Sequence, residues 1–331
     1  MKQKYFSFQN HSYLLWRLLI LLSFLNAGIA KGDSFPSKPI HIYVGQSAGG
    51  GMDTLARLIG QKISTNLGQP VIIENKVGAA GMIATEFVAK SAPDGYSLIM
   101  APTGNMVFNP ILIPKIRYSP TKDFTPVSLV STFSLVLIVN AKQPFKNVAD
   151  LVSFVKANPT QSNYGGSGPA FQFATELFKL NTDIQGEFIQ YKSTSETVVA
   201  VASGDLLFSL VDTGPVMPSI ASGRVKALAV SSAKRLANLP QVPTMRELGL
   251  PQVEFDYWAG LFVPAGTPKD IVKILEKEIN RVVSMPDVVK QMESIQVNPS
   301  SSTSEELSKL LSDDLARWKT VADKAKIKLL D

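Results

Sequence analysis

Two glycine-rich loops hold the residues best placed for chemistry. The first, Gly45-Gln46-Ser47-Ala48-Gly49-Gly50-Gly51-Met52-Asp53, separates an apolar β-branched run from an amphipathic stretch. Three consecutive glycines let a ligand approach the backbone, and a helix starting there offers unpaired N–H groups and a partial positive charge. An anion can be held at such a place without an arginine. A phosphate loop of the NTPase type is excluded, because it ends in Gly-Lys-Ser/Thr and here Met52 follows Gly51. Gly45 also stands too far back for Gly-x-Gly-x-x-Gly. Asp53, in the first helical turn, favours the helix dipole; it either caps the loop or fixes its amides against a ligand. The second loop, Tyr164-Gly165-Gly166-Ser167-Gly168-Pro169, precedes a helix starting near Phe171 and again presents amides and a hydroxyl. For both loops the plain alternative is an ordinary tight turn with no ligand.

Much chemistry is removed by what the chain lacks. It has no cysteine, so disulfides, thiolate nucleophiles, iron–sulfur clusters and cysteine-bound zinc are excluded. Of two histidines, His11 lies in the N-terminal segment and His41 sits between Ile40 and Ile42 in an apolar run. A Ser-His-Asp triad could be built only around His41, and a histidine-rich metal site lacks ligands. A pair of acids meeting in space stays open. The expectation is a protein that is no enzyme and needs no cofactor.

Elements positioning these loops alternate along the chain. Apolar run 40–45 is followed by a stretch over 52–67 in which Leu55, Leu58, Ile59, Ile63 and Leu67 recur at helical spacing. A strand over 71–74, a glycine loop at 78–81, a helix over 83–91 and a strand over 97–101 follow. A second block runs from 135 to 231: strands over 135–140, 163–165, 187–190, 208–211 and 227–231 alternate with helices over 148–157, 171–180, 195–203 and 216–222. Strand 256–263, a helix over 269–285 and an amphipathic tail over 304–326, with Ser304 as N-cap, complete the chain. This rhythm predicts an α/β fold with mainly parallel sheets flanked by helices. Two such lobes without a low-complexity linker imply a chain that crosses between them more than once, leaving a hinged cleft.

The N-terminus reads as a signal peptide over 1–30. Lys2, Lys4 and Arg17 accompany an apolar run of about 12 residues, short of the roughly 20 that span a bilayer. Small residues precede Ala30, and no cysteine follows to carry a lipid. The expected mature protein is soluble and periplasmic. Three of 33 basic residues and none of 27 acidic ones fall before Ala30, leaving 30 against 27 in the mature chain. That mild excess comes without basic runs, so nucleic acid is not an expected partner.

At these residues the chain resembles the Bug family, the substrate-binding proteins of tripartite tricarboxylate transporters. The family's Gly-Gly-Gly-x-Asp matches Gly49 through Asp53, and its Glu-Asn-Arg/Lys-x-Gly-Ala-x-Gly stretch matches Glu74, Asn75, Lys76, Gly78, Ala79 and Gly81. Asp94-Gly95-Tyr96, Lys122-Asp123-Phe124-Thr125-Pro126-Val127, the block from Arg224 to Val230, Leu239-Pro240, Val242-Pro243-Thr244 and Pro264-Ala265-Gly266-Thr267-Pro268 follow in order. The resemblance implies a two-lobed Venus-flytrap fold with crossovers near residues 136 and 256: lobe I at 31–136 plus 257–331, lobe II at 137–256. It implies a small carboxylate ligand (a di- or tricarboxylate, an acidic amino acid or an aromatic acid) delivered to membrane subunits of a tripartite tricarboxylate-type transporter. Ser47, Gly49, Gly50, Met52 and Asp53 would form the carboxylate wall, with Thr103 and Asn105 beside it; Ser167, Gly168, Phe171, Tyr191 and Asp212 would face it from the other lobe. The second loop departs from the family pattern: it is about two residues shorter, and Gln172 stands where a histidine is usual. Phe171 and Pro169 make that wall apolar, which suggests a ligand whose far end is bulkier or less charged than citrate. Sensing for a membrane kinase, or an exported enzyme with a carboxylate pair, are the alternatives; a monomer is the default state.

Overall fold

Apolar strands alternating with amphipathic helices bury both faces of a sheet, and this chain builds its framework that way. The computed structural model describes residues 35–329; the expected signal segment lies outside them. The chain divides into Met1–Ser37 and Lys38–Asp331, and the fold is that of the second unit.

Strand β1 (Ile40–Val44) lies between β2 (Val71–Asn75) and β3 (Ser97–Pro102), parallel to both. Helix α1 (Gly51–Leu67) connects β1 to β2, burying Leu55, Ile59 and Ile63 and ending at Gly68 in the left-handed region. Helix α2 (Met82–Ala89) leads into β3, and a π-helical turn (Gly104–Phe108) with the short helix α3 (Asn109–Leu112) leaves it. Strand β4 (Phe124–Asn140) runs for 17 residues.

The other half alternates helix and strand: α4 (Val148–Ala157), β5 (Asn163–Gly166), α5 (Pro169–Thr182), β6 (Glu187–Gln190), α6 (Thr194–Ser203), β7 (Phe208–Asp212), α7 (Thr213–Ala221) and β8 (Val225–Val230). Strand β9 (Asp256–Pro264) returns to the first half, followed by α8 (Lys269–Val283), α9 (Pro286–Ser294), β10 (Asn298–Pro299) and α10 (Ser304–Ala325). The strand order is β2-β1-β3-β9-β4-β7-β5-β6, with β8 and β10 also pairing β4. Parallel pairs occupy the ends, and antiparallel pairs meet in the middle. The result is a two-lobed mixed α/β fold with two crossovers.

Both crossovers depend on β4 and β9. From Phe124 to Ser134, β4 pairs with β9; from Leu135 onward the same strand pairs with β7 and β8. Around this passage Phe108, Phe173, Phe255 and Trp318 form a buried aromatic cluster, with Phe108–Phe173 and Phe255–Trp318 centroids both 4.7 Å apart. Edge-to-face and tilted rings add to what their burial alone contributes. Trp258 Nε1 donates to Asp314 at 2.8 Å, satisfying a donor the core would otherwise strand.

Two expectations change. Strand β4 starts at Phe124 rather than 135; Pro126, Ser128, Ser131 and Ser134 interrupt its apolar run, and the pairing accommodates them with register shifts at Pro126/Ser128 and Leu129/Ser131. The N-cap of the last helix is Thr303, not Ser304. Thr303 and Glu306 form a reciprocal capping box, while Ser304 Oγ donates to the Pro126 carbonyl at 2.6 Å.

Candidate functional site

Two adjoining cavities open where the loops meet, with volumes of 460 and 650 Å³. Gln46, Pro102 and Tyr257 belong to both walls, so the cavities adjoin across these side chains. Gly49, Gly51, Met52, Phe133, Ser134, Phe171, Asp212 and Gln296 line the smaller one; Ser47, Gly50, Gly81, Asn105 and Pro169 line the larger. No lysine, arginine or histidine lines either among the described residues.

The first loop is held from behind by Asp53, which is 2% exposed. Its Oδ2 accepts from the Gly49 N–H at 2.8 Å and from Arg57 Nε at 2.9 Å; its Oδ1 accepts from Asn75 Nδ2 at 2.9 Å. The Arg57 hydrogen bond, followed by those from Gly49 and Asn75, outweighs burial and lowers its pKa to about 2. Asn75 also donates to the Gln46 carbonyl at 3.0 Å. Asp53 therefore lines neither cavity and acts as the loop's anchor.

This anchoring changes which amides face the cleft. Gly49 N–H is engaged by Asp53, and Gly50 N–H donates to the Ser47 carbonyl at 3.1 Å. The available donors are the next two along the chain: the first N–H groups of α1, at Gly51 and Met52, have no backbone acceptor inside the helix, and both residues line the smaller cavity. Gly49 and Gly50 supply close approach and shape.

Close backbone packing sets the floor of the larger cavity. A Cβ on Gly45 would lie 2.6 Å from Gly81 Cα, and one on Gly81 (φ +84°) 2.5 Å from Asn105 Nδ2. Asn105 in turn donates to Thr85 Oγ1 at 3.0 Å. Thr103 is fully buried; its hydroxyl donates to the Trp258 carbonyl and accepts the Trp258 N–H, so it splices β3 to β9 behind the cleft.

Across the cleft, Asp212 ends β7 and stands at the N-cap of α7, yet its side chain makes no capping hydrogen bond. Thr194 Oγ1 donates to its Oδ2 at 3.1 Å, and Thr194 in turn shares a 3.1 Å hydrogen bond with Ser167 Oγ. Burial raises the Asp212 pKa to about 6, against the opposing effect of the Thr194 bond. Burial, and then the Asp212 charge, also raise the Tyr257 phenol. Phe171 stacks near Tyr257, centroids 6.4 Å apart, giving the cavity an aromatic side. Tyr191 lines neither cavity and packs beside Gly165 and the Val198–Val201 core; Ser167 and Gly168 line neither cavity, while Phe171 and Pro169, which follow them, do.

Several wall residues were not singled out from sequence. Phe133 and Ser134 lie on the unforeseen part of β4, Tyr257 just beyond the second crossover, and Ile295, Gln296 and Val297 in the segment after α9. Gln296 has φ +61° and accepts from Asn238 Nδ2 at 2.6 Å. Thr213 and Gly214 add a second helix start to the wall. Gly45-Gln46-Ser47-Ala48-Gly49 also has the Gly-x-Ser-x-Gly spacing of a nucleophile elbow. The geometry does not support that chemistry. His41 lines neither cavity, and its Nδ1 lies 2.6 Å from Glu74 Oε1, leaving Ser47 without a base.

With this geometry in place, similar proteins are informative. A family model described as the tripartite tricarboxylate transporter family receptor matches residues 55–327. Protein BugT of Bordetella pertussis (strain Tohama I) is 32% identical over 321 residues, 95% of this chain and 98% of that protein. A solved structure of Rpa4515 from R. palustris with adipate is 30% identical, with a TM-score of 0.74, covering 89% of this chain and 100% of that one. MatC (Rpa3494) from Rhodopseudomonas palustris with bound malate is also 30% identical, with a TM-score of 0.70, covering 87% and 99%. Among the described residues, no helix is long and apolar enough to cross a membrane.

Proposed function

Because the chain belongs to the tripartite tricarboxylate transporter family of receptors, we propose that it captures a small carboxylate between its lobes. Closure then delivers the ligand to membrane subunits of a tripartite tricarboxylate-type transporter. Residues 31–136 plus 257–331 form one lobe and 137–256 the other, hinged along β4 and β9. The protein works in the periplasm after removal of residues 1–30, as a receptor and not an enzyme.

The observation that carries this reading is the start of α1. Its first amides have no helical acceptor, lie on the wall of a 460 Å³ cavity, and are held there by an anchored carboxylate behind the loop. Amides and a helix dipole bind an anion without a formal cation, and a bound anion offsets the terminus. Adipate and malate in two relatives of about the same length support a carboxylate as guest. The apolar wall of Phe133, Phe171 and Tyr257 suits the guest's carbon chain.

A thermal-shift screen over small acids tests the reading. A ligand at 100 times its Kd adds about 2.7 kcal/mol to folding stability, and the melting temperature rises accordingly. Failure of every carboxylate to move the transition refutes it. Transport separates from sensing through uptake: a deletion strain loses import of the identified acid if the receptor feeds a transporter, and keeps import if it only reports to a kinase.

A further inference from the structure

Among the described residues, one formally charged side chain lines the smaller cavity, and it is negative. Asp212 reaches its wall with one protein hydrogen-bond partner, the Thr194 hydroxyl, and no cationic side chain pairs with it among the described residues. Its own helix start does not claim it, since no capping bond forms. Phe133, Phe171 and Tyr257 share the same cavity. A carboxylate beside aromatic faces is the combination that favours a cation: charge pairing on one side and ring quadrupoles on the other. A second carboxylate in that position would instead meet the like charge of Asp212.

We infer that the ligand is a zwitterion, a small carboxylate bearing an ammonium group, with its carboxylate at the start of α1 and its ammonium between Asp212 and the aromatic wall. This rests on the carboxylate-receptor reading above and narrows it. The upward displacement of the Asp212 pKa by burial agrees: a buried carboxylate without a partner cation is costly to ionise, and an arriving ammonium relieves that cost. It also gives Asp212 a reason to remain outside the capping geometry of α7, where a hydrogen bond to the helix would otherwise be gained.

Calorimetric titration of the protein purified from the periplasm, at about pH 8 where Asp212 is ionised, tests the inference. The guests are amino acids of increasing charge separation (β-alanine, γ-aminobutyrate, δ-aminovalerate), the matching dicarboxylates (succinate, glutarate, adipate), the matching monocarboxylates (butyrate, valerate, hexanoate), and malate. The expected result is one amino acid binding about tenfold or more tighter than the dicarboxylate and monocarboxylate of its length, a difference the size of one desolvated charge contact. Asp212→Asn should remove that preference, so that the amino acid no longer binds tighter than the monocarboxylate; Asp212→Ser repeats the test should the amide variant not fold. Tightest binding by a dicarboxylate or by malate overturns the inference, as does an amino-acid preference that survives in both variants. Equal binding of amino acids and monocarboxylates overturns it too, but leaves the carboxylate receptor standing. Binding of none of these guests overturns the inference, and the thermal-shift screen over small acids then decides the carboxylate reading separately.

Discussion

Replacing Asp53 by asparagine tests the anchoring of the first loop with almost no change in volume. The carboxylate takes three donors, from Gly49, Arg57 and Asn75, at 2.8 to 2.9 Å. Asparagine keeps one acceptor oxygen and turns an NH2 group toward a donor, so at least one contact becomes repulsive. Hydrogen bonds to a charged group contribute about 1.5–3 kcal/mol each, but Arg57 is half exposed and regains water when released. We therefore expect Asp53→Asn to lose about 2–3 kcal/mol of stability, read as a lower urea midpoint at unchanged slope. Reordering the loop on binding should cost a further part of the ligand affinity, about tenfold to a hundredfold in Kd by calorimetry. The pH dependence has a definite sign. Asp53 titrates near 2 when folded, below its ordinary value of 3.8, so its contribution is complete above about pH 4 and is lost as pH falls toward 2. Wild type and variant should converge there. An unchanged urea midpoint together with an unchanged Kd at neutral pH would refute the anchoring argument.

Other expectations follow from the same geometry. Asp256 is pushed up to about 6, first by burial, and its Oδ1 is buried without a hydrogen-bond partner. Its ionised form therefore costs stability above about pH 6, and the cost disappears as pH falls below about 4; Asp256→Asn should raise the melting point at pH 8, by about 1–3 kcal/mol in stability, and make no difference at pH 4. Gly81→Ala forces a Cβ 2.5 Å from Asn105 Nδ2 at φ +84°, so a loss of about 2–4 kcal/mol in denaturant unfolding is expected. Adding Asn105→Ala should recover only part of that loss, because the left-handed backbone remains strained.

Much of the fold was legible because its elements obey period and punctuation. The spacing of Leu55, Ile59 and Ile63 marks α1, and Gly68 stops it. The lower half of β4 was not legible, since prolines and serines break its pattern and only pairing with β9 makes Phe124–Ser134 extended. The site divides similarly. Met52 and Asp212 could be anticipated from a helix start and a strand end, and both lie on the wall. Thr103 and Tyr191, which only the family resemblance sets near the cleft, and Asp53, which a helix start sets there, support it from behind. A strand end gives a residue's position, while its neighbours decide which way the side chain faces. Gln296 carries no local signal at all; its place depends on a left-handed turn brought beside Gly214 by the rest of the chain.

The position of β9 has a consequence for how the molecule is made. It lies between β3 and β4, yet it is synthesised long after both: Ile99 pairs with Phe262, and Thr132 with Trp258. Until residues near 264 have emerged, β1, β2 and β3 form a sheet with an open edge, and β4 has no partner for its first half. The sheet of β1, β2 and β3 therefore cannot be completed as a nascent fragment, whereas β5 to β8 and the second half of β4 all precede β9; closing the first half waits on contacts of long sequence separation, which slow folding. Until β9 arrives, the unpaired edge of β3 is the place where an incomplete chain would mispair.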